Sequence, residues 1–243
     1  MATDQPTPTG TPVPAGTPVP LSHAVLAETL GTALLLWAIV GSGIVVTHDG
    51  PLIAQLFPHA VAVGLALAAI IVMLGPVSGA HLNPAVTLAA VLLGHLPRSR
   101  AGAYVAAQLA GGALGTTFAN LTSGLPAVTV AARSRDGVEL VTSEVAATLV
   151  LVLLIFLMVR GGRSVGAIAA AVGGYIAAAI VFTPSTSFAN PAVTLSRTLS
   201  DTFTGIAPAS VPAFVVAQLV GALLAVALVV RLTSTGTVRI RRR

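Results

Sequence analysis

The stretch H81-L-N-P-A-V-T-L88 returns as F188-A-N-P-A-V-T-L195, with Asn83 and Asn190 standing 107 residues apart. Asn is a favoured helix N-cap and Pro a favoured first helical residue, where its missing N–H costs nothing. Asn83–Pro84 and Asn190–Pro191 therefore each fix the start of a helix. The apolar runs that follow, 83–93 and 190–199, are too short to cross a membrane, which takes roughly 20 residues. Each reads as a half-helix that begins inside the apolar layer. Backbone that reaches this depth without being helical is tolerated only where it packs in protein or lines a wet cavity, so the pair implies a pore.

Composition puts the chain in a membrane. Of 243 residues, 55% are hydrophobic and 8% charged, with a mean hydropathy of +0.96, far from a soluble domain. Six segments are predicted to span, at 24–46, 59–75, 101–122, 143–160, 164–182 and 211–231. The fold class is therefore an all-α integral membrane protein of six transmembrane helices and two re-entrant half-helices. With no Cys, disulfides and thiolate metal sites are excluded. The five His (23, 48, 59, 81 and 95) show no ligand spacing with acidic neighbours, so neither a metal nor a cofactor is expected. Residues 1–20, rich in Pro and Thr, lack a basic start and an apolar core; they read as a disordered tail rather than a cleaved signal peptide.

All 12 cationic residues are Arg. Arg98, Arg100, Arg160, Arg163, Arg231 and the four Arg between 239 and 243 fall on one side if six helices alternate. That bias orients both termini to the cytoplasm. The basic tail, 233–243, reads first as this positive-inside signal, with anionic-lipid or nucleic-acid contact as the alternative; no nucleic-acid partner is expected.

The repeat is wider than the Asn-Pro pairs. A27-E-T-L-G-T-A-L-L-L36 answers S143-E-V-A-A-T-L-V-L-V152, and A107-Q-L-A-G-G112 answers A217-Q-L-V-G-A222. The channel domain, 21–232, thus divides into halves at about 24–122 and 143–231. With three crossings in each, the second half enters from the opposite side, which makes an inverted repeat. Two half-helix N-termini then meet near the midplane, each carrying about half a positive charge that repels cations. The Asn83 and Asn190 amides can offer N–H donors there to a passing oxygen.

On these residues the chain resembles the aquaporins, or major intrinsic proteins, over about 24–231. The motifs are G79-A-H-L-N-P-A-V-T-L88 and F188-A-N-P-A-V193, with the pairs Glu28/Glu144 and Gln108/Gln218. The resemblance implies a pore in each subunit, usually of a homotetramer, with Asn83, Pro84, Ala85, Asn190, Pro191 and Ala192 at its centre. It also implies that Glu28 and Glu144 accept hydrogen bonds from pore-lining loops. The same carboxylates could instead be a proton relay or a bare structural pair. His81 is expected to support its loop by bonding to backbone, with a pH-linked gate as the alternative.

Most of that family carries an Arg after the second Asn-Pro-Ala, at the narrowest point of the pore. Here Val193 stands there. Counting from the two Asn, the other constriction residues are expected at Val63, Ala178 and Ser187. Such a set has no ring and no cation, which predicts a wide, weakly polar filter. A pore of that kind would pass water and uncharged solutes such as glycerol, urea-like molecules or neutral metalloid acids such as arsenite. The stretch S187-F-A-N-P-A-V193 is similar to that of a bacterial subgroup associated with arsenic handling, which places the chain in a bacterial inner membrane. Arg197 lies one turn beyond Val193. It either sets a displaced cation in the outer vestibule or pairs with Asp201 four residues on, and the spacing favours the salt bridge.

No nucleophile with a base partner, no paired carboxylates and no phosphate-cradling loop appear, so an enzyme is not expected. G111-G-A-L-G115 lies inside an apolar span and is no dinucleotide site. The rival is an ion- or proton-coupled secondary transporter, since broken helices in inverted repeats occur there too.

Overall fold

The computed structural model describes residues 19–46 and 51–234. The expectations for the tail before Val19 and for the basic tail beyond Ser234 lie outside the described residues. Among the described residues eight α-helices follow in chain order: α1 (Leu21–Val45), α2 (Leu52–Ser78), α3 (Pro84–Leu92), α4 (Arg98–Thr122), α5 (Val138–Arg160), α6 (Val165–Phe182), α7 (Pro191–Ser196) and α8 (Val211–Thr233). Short 3-10 turns at Arg197–Leu199 and Pro208–Ser210 complete the helical content.

Pro residues mark the starts. Pro20, Pro51 and Pro97 hold the residue before α1, α2 and α4 extended, with ψ of 144°, 147° and 136°. α2 is longer than the predicted 59–75 because it accommodates Pro58 and Pro76 inside a 27-residue helix, each removing one backbone donor without ending it. It stops at Gly79, whose φ of 86° is the left-handed position that Gly takes at a helix end. α7 is shorter than its run predicted: it is regular for 6 residues and then tightens into the 3-10 turn that carries Arg197.

Five helices, α1, α2, α5, α6 and α8, are long and apolar enough to cross a membrane. α4 is as long as α1, at 25 residues, but mixes Gln108, Thr116 and Asn120 into its length. All three are buried, while Leu114, Phe118 and Leu121 face outward. Mean hydropathy understates α4 because its polar residues point into the protein and its apolar ones away from it.

α1 packs on α4, α5 on α8, and α2 on α6, with α3 and α7 meeting between them. Small residues make the crossings close. A Cβ on Gly111 or Gly115 of α4 would sit 2.2 or 2.1 Å from the Thr29 or Ala33 carbonyl oxygen of α1. Gly64 and Gly173 face each other across the α2–α6 crossing, where an added Cβ would lie 2.6 or 2.4 Å from the other's carbonyl oxygen. Backbone contact of this kind replaces the hydrophobic effect that lipid cannot supply between helices. It also brings the inner faces of α2 and α6 to the centre, where the half-helices begin.

Candidate functional site

The centre of the protein is built by two side chains that do the same thing twice. Asn83 caps α3 by accepting the Ala85 N–H at 2.8 Å, and Asn190 caps α7 by accepting the Ala192 N–H at 2.9 Å. The amide nitrogens reach across: Asn83 Nδ2 donates to the Ala189 carbonyl and Asn190 Nδ2 to the Leu82 carbonyl, both at 2.8 Å. Each NH2 carries two hydrogens, so the crossed bond uses one and leaves the second for a solute. The two helix starts are thereby locked N-terminus to N-terminus.

The loops leading to the two Asn share an unusual backbone. At four, three and one residues before Asn83, φ is positive at Gly79 (86°), Ala80 (47°) and Leu82 (53°); before Asn190 it is positive at Thr186 (62°), Ser187 (47°) and Ala189 (46°). Left-handed conformations cost a non-Gly residue on the order of 1 kcal/mol or more each, and persist only where surroundings over-determine them. Glu28 and Glu144 do so. Glu28 accepts the Ser78 hydroxyl (2.6 Å) and the His81 N–H (2.9 Å) at Oε1, and the Leu82 N–H (2.7 Å) and the Gln108 amide (2.8 Å) at Oε2. Glu144 accepts the Phe188 N–H (2.8 Å), the Ala189 N–H (2.9 Å) and the Gln218 amide (2.7 Å). Gln108 and Gln218 also donate to Thr87 and Thr194 on the half-helices. His81 bonds through Nδ1 to the Thr87 hydroxyl at 3.1 Å, a side-chain partner rather than the expected backbone one.

Between these loops runs a cavity of about 70 Å³. At about 10–15 Å³ of such space per molecule, it has room for roughly five to seven waters. Asn83 and Asn190 face it, beside apolar residues that include Leu67, Ile71 and Val86. Val63, Ser187 and Val193 line it as counted from the sequence. Ala178 does not, and that expectation is corrected. α6 turns Val172, Ile176 and Ile180 inward at fourfold spacing, which leaves Ala178 exposed on the outer face with Gly174. With Ile176 and Ile180 lining it in place of Ala178, the cavity wall is bulkier than the sequence suggested.

A family model described as "Major intrinsic protein" matches residues 17–188. The chain is 45% identical over 191 residues to "Aquaglyceroporin AqpS" of Rhizobium meliloti (strain 1021), covering 77% of this chain and 80% of the relative. It is 37% identical over 159 residues to Aquaporin-2 of Rattus norvegicus, covering 63% of this chain and 58% of that protein. In structure it is similar to the aquaglyceroporin from Plasmodium falciparum, with a TM-score of 0.68 at 21% identity over 86% of this chain and 95% of the other; at that identity the likeness shows the fold alone. The chain belongs to the major intrinsic protein family. It is a passive transmembrane channel for water and small solutes.

The family's Arg after the second Asn-Pro-Ala is absent, yet a guanidinium enters the cavity. Arg197 is buried and lines it. Its Nε donates to the Thr204 carbonyl, and its Cζ lies 3.5 Å from the centroid of the Phe188 ring, over its face. The salt bridge to Asp201 is not made; Asp201 accepts the Ala132 N–H at 3.0 Å instead. Four residues separate the two, but α7 has tightened into a 3-10 turn by then, so they no longer share a helical face. Arg135 lies over Phe188 as well, at 4.8 Å, and bonds the Gly205 carbonyl at 2.8 Å. Burial and the neighbouring Arg133 lower its pKa to about 10, which leaves it charged at neutral pH. His59, to which the sequence reading assigned no role, also lines the cavity and is buried. One signal would have found it: it stands four residues before Val63, on the same face of α2.

Proposed function

We propose that this channel conducts water together with uncharged solutes larger than water: glycerol, urea-like molecules or neutral metalloid acids. The observation that carries the reading is the small, mostly apolar cavity in which the two Asn amides, His59, His81, Ser187 and the Arg197 guanidinium are among the few polar groups. A solute entering it loses most of its hydration and regains hydrogen bonds at few places, which favours neutral molecules with their own donors and acceptors. An ion would lose far more, since the effective desolvation penalty is several kcal/mol per charge. The name of the 45%-identical relative, an aquaglyceroporin, agrees with solutes beyond water.

Coupled transport finds no support in the site. Its acidic candidates for a moving proton among the described crossings, Glu28 and Glu144, are wholly buried and spend both oxygens on fixed donors of the loops. We further propose that the protein assembles as a homotetramer in a bacterial inner membrane with both termini in the cytoplasm, as the Arg distribution argues. Exposed Leu26, Leu30, Leu65, Leu114 and Phe182 provide the apolar girdle that lipid and neighbouring subunits would cover.

Stopped-flow light scattering on proteoliposomes tests the solute class. Glycerol and urea should pass faster than through empty liposomes, with weak temperature dependence and no ion gradient. Val193→Arg adds a second guanidinium one turn from Arg197 and should slow the larger solutes more than water. Flux of water alone in the wild type would refute the solute range.

A further inference from the structure

The two Val of the expected constriction each have a polar residue four positions away. His59 precedes Val63 on α2, and Arg197 follows Val193 beyond α7. α2 runs inward from its N-terminus and α7 outward from Asn190, toward the face that carries the α4–α5 loop. Both displacements therefore point the same way, by about 6 Å at 1.5 Å per residue. All four side chains line one cavity, as does Ser187.

The hydrogen-bonding state of His59, Arg197 and Ser187 can be read atom by atom. Ser42 spends its hydroxyl hydrogen on the backbone carbonyls one turn back, at Ala38 and Ile39. At the 2.8 Å contact between Ser42 Oγ and His59 Nδ1, the imidazole must therefore be the donor. For the neutral ring that fixes the tautomer and makes Nε2 an acceptor. Arg197 commits Nε to the Thr204 carbonyl and lays its plane on Phe188, which leaves the Nη hydrogens as donors. The Ser187 hydroxyl is buried, without a hydrogen-bond partner, and can act either way.

We infer that the polar gate of this channel is set by His59 and Arg197, one helical turn outside the Val63–Val193 ring, with the Ser187 hydroxyl beside that ring, and that it recognises a neutral solute carrying a hydroxyl. The solute's O–H is taken by His59 Nε2 while its oxygen lone pairs are taken by Arg197. Ser187 bonds whichever end it meets. A cation meets the guanidinium. An anion that has lost its proton has nothing to give His59, and the valine ring just inside offers it no replacement for water. The chain has thus separated two tasks along the pore: polar recognition at the outer turn, and a dry, size-limiting ring one turn in.

The inference rests on the channel reading above, and its test separates the two. Full-length protein in proteoliposomes is assayed for water, glycerol and urea flux, and for proton leak with an entrapped pH dye. His59→Ala should shift the glycerol-to-water ratio by about fivefold, the equivalent of one hydrogen bond. Arg197→Gln should raise proton leak several-fold, and the charge-preserving Arg197→Lys should not. Should Arg197→Gln fail to fold because it loses the Phe188 and Thr204 contacts, the glycerol-to-water ratio of His59→Ala still decides the matter. Wild-type ratios and leak in His59→Ala and the Arg197 variants, with altered ratios in Val63→Ala or Val193→Ala, would put the gate back at the inner ring. Wild-type liposomes that pass no solute and no water would instead refute the channel reading itself.

Discussion

Replacing Glu28 by Gln removes one charge and almost no volume, which makes it a clean probe of how the first loop is held. The carboxylate takes four donors, two at each oxygen. The amide has a single acceptor oxygen. With that oxygen at the Oε1 position, the new NH2 confronts the Leu82 N–H and the Gln108 amide. Gln108 can flip, since its own Oε1 is buried without a partner, but Leu82 cannot. With the oxygen at the Oε2 position, the Ser78 hydroxyl can turn to accept, but the His81 N–H cannot. Either way one buried backbone donor is orphaned in a loop whose φ angles are already left-handed at Ala80 and Leu82. An orphaned buried donor costs about 1–3 kcal/mol, and each remaining bond loses its charge assistance, so the total is about 3–5 kcal/mol. For a domain of this size that lowers Tm by on the order of 10 °C. Thermal unfolding of the purified protein in detergent measures the shift, and water flux per folded protein should fall as the loop moves off the pore. A Tm within about 2 °C of wild type, with unchanged flux, would refute the argument that the carboxylate holds this loop in its strained form.

Glu144→Gln should follow the same logic with a smaller loss, because Glu144 takes three donors rather than four; comparing the two Tm shifts checks the count. Gly173→Val should destabilise by about 1–3 kcal/mol or more and reduce flux, since its Cβ would fall 2.4 Å from the Gly64 carbonyl oxygen and push α2 from α6. Tm and water permeability measured together report both effects. Ile180→Ala should raise glycerol permeability by thinning the cavity wall, whereas Ala178→Ile, on the outer face, should leave it at the wild-type value. Equal effects from the two would mean that α6 presents a different face. Asp201→Asn should leave the pore's selectivity unchanged, because Asp201 bonds the Ala132 N–H and not Arg197; altered proton leak in that variant would restore the salt bridge.

The architecture was legible where one residue type has one reason to be in place. An Asn-Pro pair in an apolar run can only start a helix there, and twofold repetition across three crossings can only invert it. The central caps stand at Asn83 and Asn190. What the sequence hid was rotation and tightening. Whether α6 shows Ala178 or Ile176 and Ile180 to the pore depends on how the Gly64–Gly173 crossing turns the helix, and both choices are equally apolar on paper. Whether Arg197 pairs with Asp201 depends on α7 being regular for only 6 residues, which no local preference announces.

The crossed amide bonds add a constraint that neither half of the repeat carries alone. Asn83 caps its own helix but holds the carbonyl of Ala189, in the other loop, and Asn190 does the reverse at Leu82. Ala189 and Leu82 are also the left-handed residues whose N–H groups Glu144 and Glu28 hold. Each strained residue is thus fixed at its N–H by its own half and at its carbonyl by the opposite half. Removing either Asn therefore loosens both loops, and the cost of losing both should fall short of the sum of the single losses. A double-mutant cycle with Asn83→Ala and Asn190→Ala, read by Tm, should show a coupling of about 0.5–3 kcal/mol. Strict additivity would mean that the two half-helices are held by their own halves, and that their meeting at the centre is contact without coupling.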